Sequence, residues 1–404
     1  MDSLYLMYRI IKPGIVLKCI KCGKTYTPAP RLFLCPKCNH PLEVVLENTD
    51  FDWNKARRRR LCVWRYRELL PIREGIDPVS LNEGGTPLIK ISNLYEKRVV
   101  ESPNIYIKFE GSNPTGSFKD RGMTIGVTIA KHLGVEGVVV ASTGNTSASA
   151  AAYAARAGLR CIVFLPKGGV ARGKIAQALL HGAEIREVDG SFDKALEEVL
   201  MDVLRGELMN YYPLNSYNPW RLEGQKTIAF EIVDELGFVP DYVIVPVGNA
   251  GNISAIWKGF KELYEFGFID KLPHMIGVQS ENSAPLVKTW LSGSNDLIPV
   301  KEPKTIASAI RIGRPVNWLK ALKAIIESKG FFETVSDDEI INSMKLLARY
   351  EGIGVEPASA TTLACLIKCM NKGIVKKDDN VVLVATGHAL KDPDIIIKNL
   401  ESYL

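Results

Sequence analysis

Short apolar runs alternate with longer helix-like stretches from about residue 100 onward. The residues within a run are apolar at successive positions, which is typical of strands buried on both faces of a parallel sheet. The Ala-rich stretch SASAAAYAARA ends at Gly158, as expected of a helix. The pattern therefore predicts an α/β fold in which helices cover parallel sheets. The apolar runs are IYIKF (105–109), VVVA (138–141), CIVFLP (161–166), YVIVPV (242–247) and VVLVAT (381–386).

Composition places the chain among ordinary globular proteins. Of its 404 residues, 46% are hydrophobic and 24% are charged, which rules out a disordered, collagen-like or disulfide-stapled chain. The length suggests two or three domains. A net charge of +6 is too mild an excess to indicate a nucleic-acid partner. No apolar run reaches the roughly 18–20 residues of a membrane span, and we see no secretion signal. We therefore expect a cytoplasmic protein with neither nucleic-acid nor membrane partners.

Four cysteines near the N-terminus are spaced as in a zinc ribbon. Cys19 and Cys22 form one C-x2-C pair, and Cys35 and Cys38 form a second. A segment of about 30 residues has too small a core to fold alone, and a structural metal would supply the missing stability. Four thiolates close the coordination sphere, so the predicted zinc is structural rather than catalytic. Two disulfides are the alternative, although a cytoplasmic chain should keep its thiols reduced.

A basic run, Arg57–Arg60, follows the predicted ribbon. It could bind nucleic acid or phosphate, but we favour a solvated helix face, because such a run occurs only once in the chain. Trp64, Tyr66 and Leu69–Leu70 come next and predict a segment that packs onto the following domain.

The chemically informative loops all follow strands, where open α/β sheets bind ligands. In GSNPTGSFKDRG (111–122), Ser117 can cap the following helix, and Lys119 falls in its first turn. The positive end of the helix dipole disfavours a charged amine there and favours the neutral form that a Schiff base requires. A solvated surface lysine paired with Asp120 is the alternative, and three further loops argue against it.

These three loops carry small polar residues after a strand. STGNTSAS (142–149) leaves backbone N–H groups open at a helix N-terminus and suits a carboxylate. GNAGN (248–252) has glycines that permit close backbone approach, and its exposed amides can cradle a phosphate. ATGHALKDP (385–393) ends a strand at Thr386, whose hydroxyl group is available. Together with Lys119 they favour a ligand-binding site at the strand ends.

The motifs resemble those of the threonine synthase family, a fold-type II group of pyridoxal-phosphate enzymes. They occur in the family's order and cover roughly residues 60–393. NPTGSFKDRG and PVGNAGN are specific for the group, and NPWRLEGQKT (218–227) points to threonine synthases within it. One departure is Ala389, where the family's glycine is expected. The remaining matches are EGGTPL (83–88), STGNTSAS, AEIREVDGSFDKA (183–195) and TGHALKDP.

The resemblance implies a tryptophan synthase β-like fold with two three-layer α/β domains and an N-terminal zinc ribbon. The ribbon would span residues 1–50, a large cofactor-binding domain 51–110 and 216–404, and a small mobile domain 111–215. A homodimer is usual for the group and is expected here.

The resemblance also assigns roles to individual residues. Lys119 would hold pyridoxal 5'-phosphate through a Schiff base and later carry protons, and Thr386 would hydrogen-bond the pyridine nitrogen. Phe118 would lie near the ring, and Asn145 would hydrogen-bond its 3'-oxygen. The cofactor phosphate would be bound by Gly248, Asn249, Ala250, Gly251 and Asn252. The substrate would be bound by Ser142, Thr143, Thr146, Asn218 and Arg221.

The implied activity is the conversion of O-phosphohomoserine and water to threonine and phosphate. Arg221 suits bidentate binding of the substrate phosphate. Alternatively, Arg221 forms a structural ion pair with Glu223. Because O-phosphoserine also carries a phosphate, β-replacement on it, as in cysteate or cysteine synthases, remains an alternative. Deamination of serine or threonine is a weaker one. A nucleic-acid-binding zinc-ribbon protein with an inactive body is a third, which the intact Lys119 and phosphate loop argue against.

Overall fold

The computed structural model describes residues 3–142, 144–167, 172–189, 202, 206 and 208–400. None of the helices in these ranges is both long and apolar enough to span a membrane. The helices are α1 Ser3–Ile10, α2 Trp53–Arg57, α3 Asn93–Glu96, α4 Lys119–His132, α5 Asn145–Ala157, α6 Arg172–Leu180, α7 Pro219–Gln225, α8 Thr227–Leu236, α9 Gly251–Glu265, α10 Pro285–Leu291, α11 Trp318–Glu327, α12 Asp337–Glu351, α13 Pro357–Asn371 and α14 Pro393–Leu400. The strands are β1 Val16–Cys19, β2 Thr25–Tyr26, β3 Leu42–Val45, β4 Leu88–Lys90, β5 Ile105–Phe109, β6 Gly137–Ala141, β7 Arg160–Pro166, β8 Glu184–Val188, β9 Tyr211–Pro213, β10 Tyr242–Pro246, β11 His274–Ser280, β12 Phe331–Val335 and β13 Val381–Ala385.

The described residues form two compact units, each assembled from two separate segments of the chain. The first unit comprises the described residues of Met1–Gly85 and Lys119–Thr227. The second comprises those of Thr86–Phe118 and Ile228–Leu404.

A six-stranded sheet with the strand order β12-β11-β10-β13-β5-β4 forms the centre of the second unit. Its strands are parallel except β4, which pairs antiparallel with β5 at one edge. Leu383 of β13 pairs with Ile244 on one side and Ile107 on the other, and all three are buried. Leu363 and Leu366 of α13 belong to the same apolar core. Because β5, β10 and β13 run in the same direction, the loops that follow them lie along one edge of the sheet.

The first unit has a four-stranded parallel sheet with the order β8-β7-β6-β9. Val139, Ile162 and Phe164 of β6 and β7 are buried in one core cluster. Helix α5 follows β6 and ends at Gly158, whose left-handed conformation, with φ at +72°, closes the helix as its sequence predicts. A separate three-stranded antiparallel sheet has the order β2-β1-β3, and β1 ends at Cys19.

Helices α4 and α7 of the first unit pack directly against each other. A β-carbon on Gly224 of α7 would overlap the backbone of α4, so only glycine fits there. On α4, Gly122 and Gly126 leave room for the side-chain stem of Arg221, because a β-carbon on either would lie 3.3 Å from it. The glycines therefore join the helix that begins at Lys119 closely to the helix that carries Arg221.

The five predicted strands are confirmed, and each lies within one residue of its apolar run. The parallel sheets with helical connections are confirmed as well. The compact units divide the chain at other points than the predicted domains. Residues 51–85, for example, belong to the first unit, where Trp64 Nε1 donates to Thr124 Oγ1 of α4 at 2.8 Å. The predicted functional domains therefore remain a prediction.

The basic run Arg57–Arg60 is only partly helical. Helix α2 ends at Arg57, and Arg59 lies beyond it, where its guanidinium binds both carboxylate oxygens of Glu68 at 2.9 and 2.6 Å. The other three arginines of the run are exposed. The run is therefore largely solvated, as predicted. Only its first residue, Arg57, is helical, so the rest of the run does not form the predicted helix face.

Candidate active site

Two loops at the carboxyl edge of the six-stranded sheet are joined by backbone pairing. The loop after β5 leads to Lys119, and the loop after β13 begins at Thr386. Phe118 donates its backbone N–H to the carbonyl oxygen of Thr386 at 3.0 Å, and Ser117 forms an antiparallel bridge with Gly387. The residue that precedes Lys119 in the chain is therefore fixed on the loop that carries Thr386.

Helix α4 begins at Lys119, so the prediction that this lysine falls in the first helical turn is confirmed. Lys119 is partly buried. The neighbouring Asp120 is fully buried, and its carboxylate accepts from Ser149 Oγ at 2.5 Å. The alternative of a solvated surface pair between Lys119 and Asp120 is therefore wrong.

Ser117 does not have the role that its sequence position predicts. Its Oγ is buried and has no hydrogen-bond partner among the described residues, so it does not cap α4. A buried hydroxyl group without a partner costs free energy, and a bound polar ligand would remove that cost.

The loop from β10 into α9 has a strained backbone. Ala250 precedes the first helical residue, Gly251, with φ at +64°, in the left-handed region that alanine seldom occupies. No side chain caps this helix, and the first N–H groups of a helix have no acceptor within it. They are therefore available to an anion at the positive end of the helix dipole.

Asn252, the second residue of α9, adds a buried amide to the same helix start. Its Oδ1 and Nδ2 are buried and lack a hydrogen-bond partner in the described part of the chain. A neighbouring segment contacts this loop, since Asn249 Oδ1 accepts from the backbone N–H of Val316 at 3.4 Å. A β-carbon on Gly248 would lie 2.8 Å from the carbonyl oxygen of Ala309, so the loop requires glycine there. An unpaired buried amide beside open helix N–H groups is a donor set that suits a phosphate.

Thr386 lies at the end of β13 and is buried beside two polar side chains from the start of α13. Its Oγ1 donates to Glu356 Oε1 at 2.9 Å and lies 3.0 Å from Ser359 Oγ. Both of these residues are buried, and sequence reasoning missed them. Their signal is EPAS (356–359), an acidic residue and a proline before an apolar helix, but nothing in a single sequence links it with Thr386.

The loop between β6 and α5 has a partly structural role. Ser142 Oγ accepts from backbone N–H groups at the start of α5, including that of Ser147 at 3.3 Å. These bonds use its lone pairs, so the hydroxyl proton remains available to a ligand. Asn145 and Thr146, the first residues of the helix, are partly buried. Thr143 lies outside the described residues, and so do residues 190–195 of the segment AEIREVDGSFDKA.

Asn218 caps α7 and is completely buried. Its Oδ1 accepts from the backbone N–H of Trp220 at 3.1 Å, and its Nδ2 donates to the carbonyl oxygen of Pro213 at 2.9 Å. Asn218 thus fixes the start of the helix that carries Arg221. Substrate binding by Asn218 remains a prediction.

Arg221 is a buried cation without a carboxylate partner among the described residues. Its Nη1 donates to the carbonyl oxygen of Leu214 at 2.6 Å, and its Nε has no hydrogen-bond partner in the same ranges. Removal from water lowers the pKa of the guanidinium to about 10. Glu223, the alternative ion-pair partner, instead accepts from Lys226 Nζ at 2.6 Å. A buried guanidinium with unused donors favours an anionic ligand.

Glu83, the first residue of EGGTPL, stabilises the packing of α5 in the first unit. Its fully buried carboxylate accepts from Trp64 Nε1, the backbone N–H of Leu81 and the hydroxyl group of Tyr153 at 2.7–3.2 Å. Burial, together with nearby carboxylates, raises the pKa of Tyr153 well above its ordinary value, so the phenol keeps its proton and donates. The helix that begins at Asn145 is therefore anchored by a carboxylate outside the site.

The four N-terminal cysteines form one compact cluster. Their Sγ atoms all lie within 4.8 Å of one another, with 3.4 Å between Cys19 and Cys38 and 3.7 Å between Cys22 and Cys35. All four thiols are free, so the structure does not contain the alternative pair of disulfides. A tetrahedron of sulfur atoms about 2.3 Å from a central zinc ion has edges of about 3.8 Å, close to these separations. The cluster could therefore hold a metal ion.

The cysteine segment packs against β9 and the chain that leads into α7. The ring of Phe33 meets that of Tyr212 edge-on at 5.6 Å between centroids and lies 5.8 Å from that of Tyr217. Arg31 donates to the carbonyl oxygen of Tyr211 at 3.1 Å. Residues between the two cysteine pairs therefore support the segment that precedes α7.

Known proteins resemble the chain over most of its length. Residues 79–387 match the family model described as pyridoxal-phosphate dependent enzyme. The chain is 54% identical to a threonine synthase of Methanocaldococcus jannaschii over 389 residues, which cover 95% of this chain and 95% of that protein. It is 50% identical to a threonine synthase of Methanosarcina acetivorans, with 94% of this chain and 93% of that protein covered. The structure of maize serine racemase has a similar fold, with a TM-score of 0.64 at 19% identity over 79% of this chain and 93% of that chain. The predicted fold class is thereby confirmed.

Proposed function

Because the chain belongs to the threonine synthase family of pyridoxal-phosphate-dependent enzymes, we propose that it converts O-phosphohomoserine and water to threonine and phosphate. The identity of 50–54% over 94–95% of the chain carries this proposal. The described loops offer the groups that the reaction needs, namely a lysine at a helix start, an anion cradle and a buried arginine.

The unpaired polar groups of the second unit fit pyridoxal 5'-phosphate. The buried amide of Asn252 and the uncapped N–H groups of α9 suit its phosphate. Lys119 would hold the cofactor covalently, and Phe118 and Thr386 would contact its ring. When bound, the cofactor withdraws electrons from the substrate carbon atoms and so supplies the electron sink of the reaction. The remaining proposed contacts come from Gly248, Asn249, Ala250 and Gly251 to the phosphate and from Asn145 to the 3'-oxygen.

The buried guanidinium of Arg221 supports binding of the substrate phosphate. Its Nη1 donates to the carbonyl oxygen of Leu214. The other N–H groups, such as that of Nε, can donate to a phosphate ester. Arg221 lies on α7, which packs on the helix that begins at Lys119. The remaining proposed substrate contacts are Ser142, Thr143, Thr146 and Asn218.

The amine of Lys119 is the proposed proton carrier. Once its amine is free, Lys119 Nζ would take the α-proton of the substrate and then a β-proton. The bond between the γ-carbon and the phosphate oxygen breaks, and Arg221 holds the leaving phosphate. Water adds at the β-carbon, and Lys119 returns protons to the substrate carbons to give threonine.

We also propose that the cysteine cluster holds one structural zinc ion, because its four thiolates leave no open coordination position. We further propose a cytoplasmic homodimer. Each subunit would contain a zinc ribbon (1–50), a large domain (51–110 and 216–404) and a small mobile domain (111–215).

Product analysis with two substrates tests the proposed function. Purified holoenzyme given O-phosphohomoserine should release threonine and phosphate in equal amounts. The same protein given O-phosphoserine and sulfite should release no cysteate. Cysteate in the second reaction, with no threonine in the first, would show β-replacement instead.

A further inference from the structure

A segment that we call the strap (residues 305–317) lies along the carboxyl edge of the six-stranded sheet. It contacts residues that follow four neighbouring strands, β12, β11, β10 and β13. After β12, Asp337 Oδ1 accepts from Thr305 Oγ1 at 2.6 Å. After β11, the buried Ser283 Oγ donates to the carbonyl oxygen of Ile310 at 3.1 Å. Side chains that follow two of the strands therefore tie the strap to this edge of the sheet.

The strap also packs against the first two residues of the proposed phosphate loop, 248–252. A β-carbon on Gly248 would lie 2.8 Å from the carbonyl oxygen of Ala309, so the two backbones are in contact. The carbonyl oxygen of Asn249 accepts from the backbone N–H of Asn317 at 3.2 Å. A shift of the strap would therefore move the loop, including the N–H groups at the start of α9.

One hydrogen bond joins the strap to the loop that carries Thr386. Ser308 Oγ lies 2.5 Å from Asp392 Oδ2, and Asp392 is only 3% exposed. The contact is a hydrogen bond whichever of the two oxygen atoms holds the proton. Ser308 directly precedes Ala309, whose carbonyl oxygen meets Gly248. The bond therefore fixes the strap at the point where it contacts the proposed phosphate loop.

We infer that Ser308 is a positioning residue for the cofactor phosphate, because its bond to Asp392 holds the strap that supports the loop 248–252. The loop needs such support, since Ala250 has a φ of +64°, and a strained conformation persists only where the surroundings fix it. A loop that is already held in its binding conformation loses less entropy when the phosphate binds. This inference rests on the proposed function, which places the cofactor phosphate at this loop.

Titration of the apoenzyme with pyridoxal 5'-phosphate and, separately, with pyridoxal tests this inference. The two ligands differ only in the phosphate group, so the ratio of the pyridoxal Kd to the pyridoxal 5'-phosphate Kd measures what phosphate binding contributes. Ser308→Ala should lower this ratio about tenfold, which corresponds to about 1.4 kcal/mol. The Kd of pyridoxal itself should change less than about twofold. A general loss of stability would weaken both ligands alike and leave the ratio unchanged.

Two further variants show whether the effect passes through Asp392. In an Asp392→Ala background, Ser308→Ala should lower the ratio no further, because the bond is already lost. Ser328→Ala is the matched control, since it removes a buried hydroxyl group from the same unit, where Ser328 Oγ accepts from the backbone N–H of Met275 near the amino end of β11. The control should keep the wild-type ratio. A tenfold loss on Ser308→Ala in both backgrounds would overturn the inference.

Hydrogen exchange of the wild-type protein tests the strap without any substitution. Pyridoxal 5'-phosphate should slow amide exchange in peptides that cover residues 305–317 more than pyridoxal does, and equal protection by the two ligands would overturn the inference. Asn252→Ala separates this failure from failure of the proposed function. If Asn252→Ala lowers the Kd ratio and Ser308→Ala does not, the loop binds the phosphate but Ser308 does not position it. If neither variant lowers the ratio, the phosphate binds elsewhere, and both the inference and the proposed phosphate contacts are wrong.

Discussion

Gly224 lies so close to Arg121 that a β-carbon on the glycine would overlap the arginine carbonyl oxygen. Helices α7 and α4 therefore meet backbone to backbone. Since α4 begins at Lys119 and α7 carries Arg221, this contact fixes the proposed cofactor lysine and the proposed phosphate ligand within one rigid helix pair.

Gly224→Ala should lower the free energy of unfolding by about 3 kcal/mol or more, because the added methyl group meets backbone that cannot move aside. Gly126→Ala is the matched control, since its β-carbon would meet side-chain atoms only, with the tip of Leu214 at 2.7 Å and the stem of Arg221 at 3.3 Å. We expect the control to change stability by less than about 1 kcal/mol, helped by the higher helix propensity of alanine. Urea unfolding measures both variants, and equal losses would contradict the close contact.

Arg221→Ala should lower kcat/KM for O-phosphohomoserine at least about a hundredfold, since each ~1.4 kcal/mol of lost transition-state binding is tenfold in rate. Arg221→Lys should recover little, because a point charge cannot replace the planar guanidinium. The cofactor absorbance should stay unchanged in both variants, because the cofactor phosphate is proposed to bind a separate loop, residues 248–252. The measurement is kcat/KM of each variant, normalised to the amount of bound cofactor. A variant that is less stable yet turns over normally would limit Arg221 to a structural role.

Metal analysis should find one zinc ion per chain, and Cys35→Ser should lose it together with thermal stability. Folded protein that survives should keep most of its activity, because the cysteines lie outside the catalytic motifs. Cys62→Ser changes a cysteine that lies outside the cluster and forms no disulfide, and this variant should retain the metal. Zinc-free wild-type protein with a disulfide between the cysteine pairs would contradict the metal site.

Wild-type protein should be yellow, and borohydride reduction should attach the cofactor permanently to Lys119. Lys119→Ala should lose this linkage and nearly all turnover, because no other group supplies the amine at the start of α4. Lys131→Ala, which changes an exposed lysine in the last turn of the same helix, should keep both. Peptide mapping by mass spectrometry locates the label, and a label on a different lysine would remove Lys119 from the mechanism.

The sheets could be predicted from the sequence because strands buried on both faces are apolar at every position. Strands β5, β10 and β13 begin and end within one residue of their apolar runs. The loops that follow such strands are also visible, since small polar residues and glycines interrupt the apolar pattern there. Lys119 and the 248–252 loop could therefore be selected without the structure.

Pairings between distant residues could not be predicted in this way. Glu356 and Thr386 meet because α13 packs on the sheet beside β13, and no local pattern reports that packing. Local patterns also mislead. Ser117 precedes a helix, as a capping serine does, but its hydroxyl group has no hydrogen-bond partner among the described residues. Asn218, which is predicted to bind substrate, also caps α7, a second role that the sequence analysis did not include. The sequence reports what a side chain can bind, and the fold determines which partner it meets.

The fate of the water oxygen tests the central claim most directly. Holoenzyme should be incubated with O-phosphohomoserine in ¹⁸O-labelled water, and both products should be analysed by mass spectrometry. Because the carbon–oxygen bond at the γ-carbon is expected to break and water to add at the β-carbon, the label should appear in the threonine hydroxyl group and be absent from the newly released phosphate. Label in the phosphate, with homoserine as the other product, would show cleavage of the phosphorus–oxygen bond and would contradict threonine synthase chemistry.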